Sequence, residues 1–314
     1  MPETWVISLG GNVITREDEP GRISDQFTHT AEILDGFLPA FRQNYRLVLT
    51  HGNGPQMGNI LIRVEEGERR VPPLPLDTCV ADSQGGMGYM IQRLAHQLFR
   101  REGIKRDIAT LITQVIVDET DPDFRNPTKP IGSFYSAADV ELIRREKRHW
   151  ILKEIEPGRF RRVVPSPRPL DVVEKDAIAC LLDAGFVVIA CGGGGIAVAW
   201  EQSRLDGLEA VVDKDLASGL LARQLKAQRL IIITTVHQVA LSYRKPGQRW
   251  LSSMSAGEAR RYLAAGEFPP GSMGPKITAG IEFVEAGGAE CLITSPDRVR
   301  EALAGRDGTR IIAG

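Results

Sequence analysis

Three lysines sit in surroundings that ordinary surface lysines do not have. Lys129 is stiffened by prolines in Asn126-Pro127-Thr128-Lys129-Pro130-Ile131-Gly132, and Lys214 lies between Asp213 and Asp215. Lys276 follows the glycine-containing run Gly271-Ser272-Met273-Gly274-Pro275 and precedes an apolar helical pattern. Most lysines are solvated surface groups. A lysine held in place suits phosphoryl transfer, where the protein's work is positioning and the stabilisation of negative charge. Asp215 reads in two ways: as an organiser that orients the lysines by hydrogen bonding, or as a helix-start aspartate favoured by the helix dipole.

Glycine-rich loops supply the second part of that chemistry. Ser8-Leu9-Gly10-Gly11-Asn12, Thr50-His51-Gly52-Asn53-Gly54-Pro55 and Cys191-Gly192-Gly193-Gly194-Gly195 each follow an apolar run. A residue without Cβ lets backbone N–H groups approach an oxyanion, and a following helix N-terminus adds favourable partial charge. For any one loop the alternative is a tight turn that needs positive φ. The pattern GxxxxGK[ST] occurs nowhere, which excludes a P-loop enzyme on pattern. Gly192, Gly194 and Ala197 loosely match GxGxxG/A, with Asp213 placed as a ribose-binding acid. That fingerprint needs a helix next, and Ile196 to Trp200 reads as extended.

These side chains need a scaffold. Short β-branched runs recur at Trp5 to Leu9, Leu47 to Thr50, Leu111 to Val117, Val187 to Cys191, Leu230 to Thr234 and Cys291 to Thr294. They are nearly continuous in apolar residues, the pattern of parallel strands covered on both faces. Ile33, Leu34, Phe37, Leu38 and Phe41 fall on one face of a helix, as do Ile277, Ile281 and Val284. The alternation predicts an open three-layer α/β/α sandwich around a mostly parallel sheet, with ligands beyond the carboxyl ends of the strands. Residues 118–169 interrupt it with seven prolines and the charge run Arg144, Arg145, Lys147, Arg148. This stretch reads as a small subdomain inserted into a single domain spanning 1–314.

Composition narrows the partners. Of 314 residues 42% are hydrophobic and 25% charged, and Lys+Arg 39 against Asp+Glu 40 leave a formal net charge of −1. No global positive field argues for nucleic acid or an anionic membrane, so small molecules or further subunits are expected. No apolar run reaches membrane-helix length, and Met-Pro-Glu leads straight into an apolar strand without a basic leader. A soluble, cytoplasmic protein is the expectation. Cys79, Cys180, Cys191 and Cys291 are scattered and read as reduced, mostly buried small residues. The five histidines form no ligand pair, so no protein-built metal cluster is expected, and magnesium would enter with a nucleotide.

Taken in order, Leu9-Gly10-Gly11-Asn12, Thr50-His51-Gly52-Asn53-Gly54-Pro55-Gln56, Ser83-Gln84-Gly85, the Lys129 segment, Val164-Pro165-Ser166-Pro167-Arg168-Pro169, Gly192-Gly193-Gly194-Gly195-Ile196, Asp213-Lys214-Asp215-Leu216-Ala217-Ser218 and Pro270-Gly271-Ser272-Met273-Gly274-Pro275-Lys276 resemble the amino acid kinase family over essentially the full chain. Within it they resemble the carbamate kinases. The resemblance implies reversible transfer between ATP and carbamate, giving ADP and carbamoyl phosphate, in a homodimer of arginine metabolism that uses Mg2+ with the nucleotide. It implies that Gly10, Gly11, Asn12, Gly52 and Asn53 hold the acceptor and the moving phosphate. Lys214, Thr234, Gly271, Met273, Gly274 and Lys276 would serve the nucleotide, with Lys129, Lys214, Asp215 and Lys276 as the catalytic set. Residues 1–220, less the insert, would form the acceptor side and 221–314 the nucleotide side.

Two departures stand out. Many relatives in the wider fold carry a lysine where this chain has Ser8, and the resemblance assigns the replacement charge to Lys129 of the insert, as a mobile lid. After the Leu230 strand the family reads close to Thr-Asp-Val-Asp-x-Val-Tyr, whereas this chain has Thr234-Thr235-Val236-His237-Gln238-Val239-Ala240. A related kinase with another acceptor or nucleotide, or a non-catalytic sensor of a phosphorylated metabolite, are the competing readings.

Overall fold

Strand Thr4–Leu9 is buried at every position, and its side chains divide between two hydrophobic layers. Val6 joins Val48, Leu230, Ile232, Leu221, Ile277 and Ile281 on one face. Trp5, Ile7 and Leu9 join Leu49, Ile231, Phe37, Phe41 and Phe99 on the other. Period-2 alternation inside a wholly apolar run therefore feeds both cores at once, as a sheet sandwiched between helices requires. The structure, a computed structural model, describes residues 2–16 and 19–314.

The central sheet has eight strands in the order Ser253–Ser255, Thr309–Ile312, Glu290–Thr294, Arg229–Ile233, Thr4–Leu9, Arg46–His51, Val187–Ile189, Ile108–Thr110. Neighbours run parallel except Glu290–Thr294 with Thr309–Ile312. The expected α/β/α sandwich with a mostly parallel sheet is what the chain forms. A second sheet orders Arg204–Gly207, Ile196–Glu201, Gln114–Val117 and Pro169–Val172. A third, of Lys129–Tyr135, Arg159–Val164 and Ile151–Glu156, is antiparallel and carries the helix Ala137–Glu146. It lies wholly within residues 118–169.

Three expected elements are shortened or divided. Of the run Leu111 to Val117 only Gln114–Val117 is strand; Leu111 to Thr113 link it to Ile108–Thr110 of the central sheet, and buried Gln84 clamps Thr113 in that link: Thr113 N–H donates to Gln84 Oε1 at 2.7 Å and Gln84 Nε2 donates to Thr113 O at 3.0 Å. The helix expected across Ile33 to Phe41 ends at Gly36 and a short one restarts at Leu38. Pro39 has no N–H to continue the ladder. The strand from Val187 stops at Ile189, and Cys191 turns away at φ +48.

Candidate active site

The strands Thr4–Leu9, Arg46–His51 and Arg229–Ile233 end on a cleft of about 940 Å³, and the strand Lys129–Tyr135 forms its other wall. Gly10, Gly11, Asn12, Gly52, Asn53, Lys129, Lys214, Asp215, Thr234, Gly271 and Lys276 all line it. Met273 and Gly274 do not appear on this lining among the described residues. Met273 packs against the hydrophobic core, and a Cβ on Gly274 would stand 3.1 Å from Pro269 O, so both are held by packing.

Gly10 and Gly52 contribute room. Gly10 N–H donates to Ile233 O at 3.0 Å and Gly52 N–H to Leu9 O at 2.8 Å, so both amides serve the strand ends. A Cβ on Gly10 would lie 2.8 Å from Ile233 O, and one on Gly52 2.8 Å from Gly11 N and 3.3 Å from the Lys214 stem. Neither glycine has positive φ, so close approach explains them and turn conformation does not. The donors offered to the cleft come one step later, where Gly54 opens the helix Gly54–Gly67 and leaves its first-turn amides unpaired within the helix. Asn53 is fixed beside them, its Nδ2 donating to Ser83 Oγ at 2.8 Å.

The third glycine loop is built differently. Gly193, Gly194 and Gly195 have φ of +67, +94 and +86, and a Cβ on Gly194 would lie 2.2 Å from Val212 O. The loop is a buried turn that reaches the cleft only through Gly193. It leads into the strand Ile196–Glu201, and with no helix following, the dinucleotide fingerprint has no structural basis here.

The lysines converge through the helix Lys214–Gln224. Its N-cap is Asp213, and Lys214, Asp215 and, one turn on, Ser218 bond to Ser8. Lys214 Nζ donates to Ser8 Oγ at 2.9 Å and also to Asp215 Oδ1. Ser8 Oγ donates to Asp215 Oδ1 at 3.2 Å, and Lys276 Nζ to Asp215 Oδ2 at 3.0 Å. Lys129 Nζ reaches Asp213 Oδ2 at 3.2 Å. Asp215 is 3% exposed. Burial alone would raise its carboxyl, but the Lys214 and Lys276 ammonium groups and their hydrogen bonds outweigh that and hold it far below the usual carboxylate range. Burial pushes Lys214 down, against the pull of Asp215. Asp215 thus bonds both Lys214 and Lys276.

Other participants were not singled out from sequence. Arg161 lines the cleft from the strand Arg159–Val164 and donates to Gly132 O at 2.9 Å. Strand alternation in Arg159-Phe160-Arg161-Arg162 was the available signal. Buried His51 sits directly under the second glycine loop. Its Nδ1 contacts Gly52 O at 3.1 Å, and because a carbonyl only accepts, Nδ1 carries the hydrogen. In the altered segment His237 packs on Trp250 at 4.8 Å between ring centroids, and Asp307 lies 3.2 Å from its Nδ1. An acid thus reaches that segment from elsewhere in the chain.

The pattern of the amino acid kinase family matches residues 3–295. A carbamate kinase of Thermococcus kodakarensis is 42% identical over 98% of each chain. The carbamate kinase-like protein YahI of Escherichia coli is also 42% identical, over 99% of each. Among solved structures, a carbamate kinase from Giardia lamblia bound to AMP-PNP superposes with a TM-score of 0.94 at 38% identity, covering 100% of this chain and 99% of that one. Full-length similarity of this degree, on a fold that brings the signature lysines to one cleft, has a single consequence: the chain belongs to the amino acid kinase family and, within it, to the carbamate kinases.

Proposed function

We propose that the cleft carries out reversible phosphoryl transfer between carbamoyl phosphate and ADP, giving carbamate and ATP. The observation that carries this reading is the charge pattern. Among the described residues the acidic side chains lining the cleft are Glu19, Asp213 and Asp215, and each is ion-paired. That leaves lysines to act, and no free base stands among them. A carboxylate-type acceptor such as carbamate is already anionic, so its attack requires no proton removal, whereas an alcohol acceptor would need a base.

In this reading the Gly11 and Gly54 loops and Asn53 hold the acceptor and transferring phosphate. Lys129 and Lys214 flank the moving group, Lys276 meets the nucleotide phosphates, and Asp215 keeps the two inner ammonium groups aimed. Preorganised charge of this kind needs no rearrangement as the transition state forms. Among the described residues no three His, Cys, Asp or Glu side chains converge on a metal position. Magnesium therefore belongs to the nucleotide substrate in this proposal, where it neutralises phosphate charge. A homodimer, a cytoplasmic setting and a place in arginine metabolism complete the reading, as does a division of 1–220 and 221–314 into acceptor and nucleotide sides with 118–169 as lid.

A second reading, transfer with a different nucleoside diphosphate, is favoured by Thr235, which lines the cleft, and by His237, Gln238 and Ala240 beyond it. Purified protein with carbamoyl phosphate, Mg2+ and ADP is expected to form ATP. A panel of GDP, UDP and CDP decides between the readings, and absence of turnover with every diphosphate would overturn both.

A further inference from the structure

Asp213 uses its two carboxylate oxygens for different tasks. Oδ1 accepts the N–H groups of Asp215 at 2.9 Å and Leu216 at 3.4 Å, capping the helix Lys214–Gln224. Oδ2 receives Lys129 Nζ at 3.2 Å, from the strand of the third sheet that walls the cleft. Capping alone does not call for a second charged oxygen, because Asn and Ser cap as well as Asp.

The charge arithmetic of the cleft explains what the second oxygen adds. Lys129, Lys214 and Lys276 are like charges on one lining, and like charges facing a cleft repel. Asp215 is committed through both oxygens to Lys214 and Lys276. Lys129, the one lysine of the three that arrives on a strand, is the one that Asp215 does not touch in the described contacts. Asp213 pairs with it instead. The Lys129 and Asp213 side chains are 35% and 16% exposed, so the pair sits at the mouth of the cleft, where an entering anion competes for the lysine.

We propose that Asp213 is a positioning residue that docks the Lys129 strand over the cleft before substrate enters and passes the ammonium to the transferring phosphate when substrate arrives. The same side chain fixes the start of the helix bearing Lys214 and Asp215, so wall closure and charge placement share one anchor. The hand-over to phosphate and the kinetic readout rest on the proposed phosphoryl transfer, and the docking of the strand does not.

The test uses Asp213→Asn, which keeps an oxygen for the helix cap and removes the charge facing Lys129. Amide hydrogen exchange of ligand-free protein is expected to rise at least fivefold in 129–135, with exchange in 214–224 unchanged. In turnover, Asp213→Asn is expected to raise KM for carbamoyl phosphate about tenfold while changing kcat less. In a Lys129→Met background it is expected to add no further loss. Equal exchange in 129–135 for wild type and variant, or the same loss from Asp213→Asn in both backgrounds, overturns the proposal. Should Asp213→Asn fail to fold, Asp213→Ser, which also caps, takes its place in the same measurements. A wild type inactive with carbamoyl phosphate refutes the phosphoryl-transfer reading and leaves the exchange comparison to decide the role of Asp213.

Discussion

Position 8 holds a hydroxyl where many members of the wider fold hold an amine, and the consequence is local and electrostatic. The small side chain leaves space for the Lys214 ammonium, which arrives from another element and bonds to Ser8 Oγ at 2.9 Å. A lysine at position 8 would put a third ammonium on the same carboxylate, Asp215, already shared by Lys214 and Lys276. His51, next to the second glycine loop, is the complementary case of a titratable group kept neutral. Burial pushes its pKa down to about 4, helped by the nearby Lys214 charge and opposed by its bond to Gly52 O. A histidine with a lowered folded pKa stabilises the fold fully above its unfolded value near 6.5, and that contribution is lost as pH falls from there toward 4. The shift corresponds to roughly 3 kcal/mol at about 1.36 kcal/mol per pH unit. Urea unfolding between pH 4 and 7 is expected to show this rise with pH in the wild type and its loss in His51→Gln. Parallel pH dependence in the two proteins would refute the assignment.

Elements place these residues through contacts between backbones. The ends of Thr4–Leu9 and Arg46–His51 approach so closely that a Cβ on Gly52 would sit 2.8 Å from Gly11 N. A backbone nitrogen cannot swing aside as a side-chain tip can, so Gly52→Ala must displace the first glycine loop, the Lys214 stem, or both. Misplacement of about 1 Å at a reacting centre can cost about a hundredfold. Gly52→Ala is therefore expected to lower kcat/KM about a hundredfold. Gly86→Ala is the control: Gly86 lies exposed in the helix Leu76–Glu102 with open space where its Cβ would go, so it should leave kcat/KM unchanged and stabilise by about 0.5–1 kcal/mol. Steady-state assays and melting curves of both variants check the pair. The same helix illustrates how an element also divides its neighbours, since Gln84 pins Thr113 in the link between the strands Ile108–Thr110 and Gln114–Val117.

At the scale of the molecule, residues 118–169 are attached through an apolar seam, where Ile131 and Val164 cluster with Met57, Leu61, Val198 and Val211, and through polar contacts. Tyr135 OH donates to Glu65 Oε2 at 2.9 Å, Lys147 pairs with Glu68 at 2.7 Å and Arg162 with Glu209 at 2.7 Å. Burial raises the Glu65 carboxyl and the Tyr135 bond offsets part of that cost. Each polar attachment is worth only about 1 kcal/mol net, because water can replace it. Tyr135→Phe is expected to shift the open population about fivefold, the factor carried by about 1 kcal/mol. Limited proteolysis within 118–169 should accelerate by that factor in ligand-free protein, while the melting temperature of the main sheet stays put. Cleavage at the wild-type rate would refute this account of the attachment.

Much of this was legible in the chain by itself. Parallel strands buried on both faces betray themselves as unbroken apolar runs, so the sandwich and its mostly parallel sheet could be read from periodicity. Lys129, Lys214 and Lys276 were marked by local stiffness and by neighbouring charge, and those are sequence-local properties. Their partners were not. Which carboxylate each lysine meets depends on contacts between residues separated by 61 and 84 positions, as in Lys276 with Asp215 and Lys129 with Asp213. The glycines divide in the same way. Composition shows a loop that dispenses with Cβ atoms, but only the packed structure shows that Gly10 and Gly52 make room between strand ends while Gly193, Gly194 and Gly195 make a buried turn. Local chemistry determines what a residue is able to do, and the tertiary fold decides what it faces, because long-range packing sets distances that no spacing along the chain encodes.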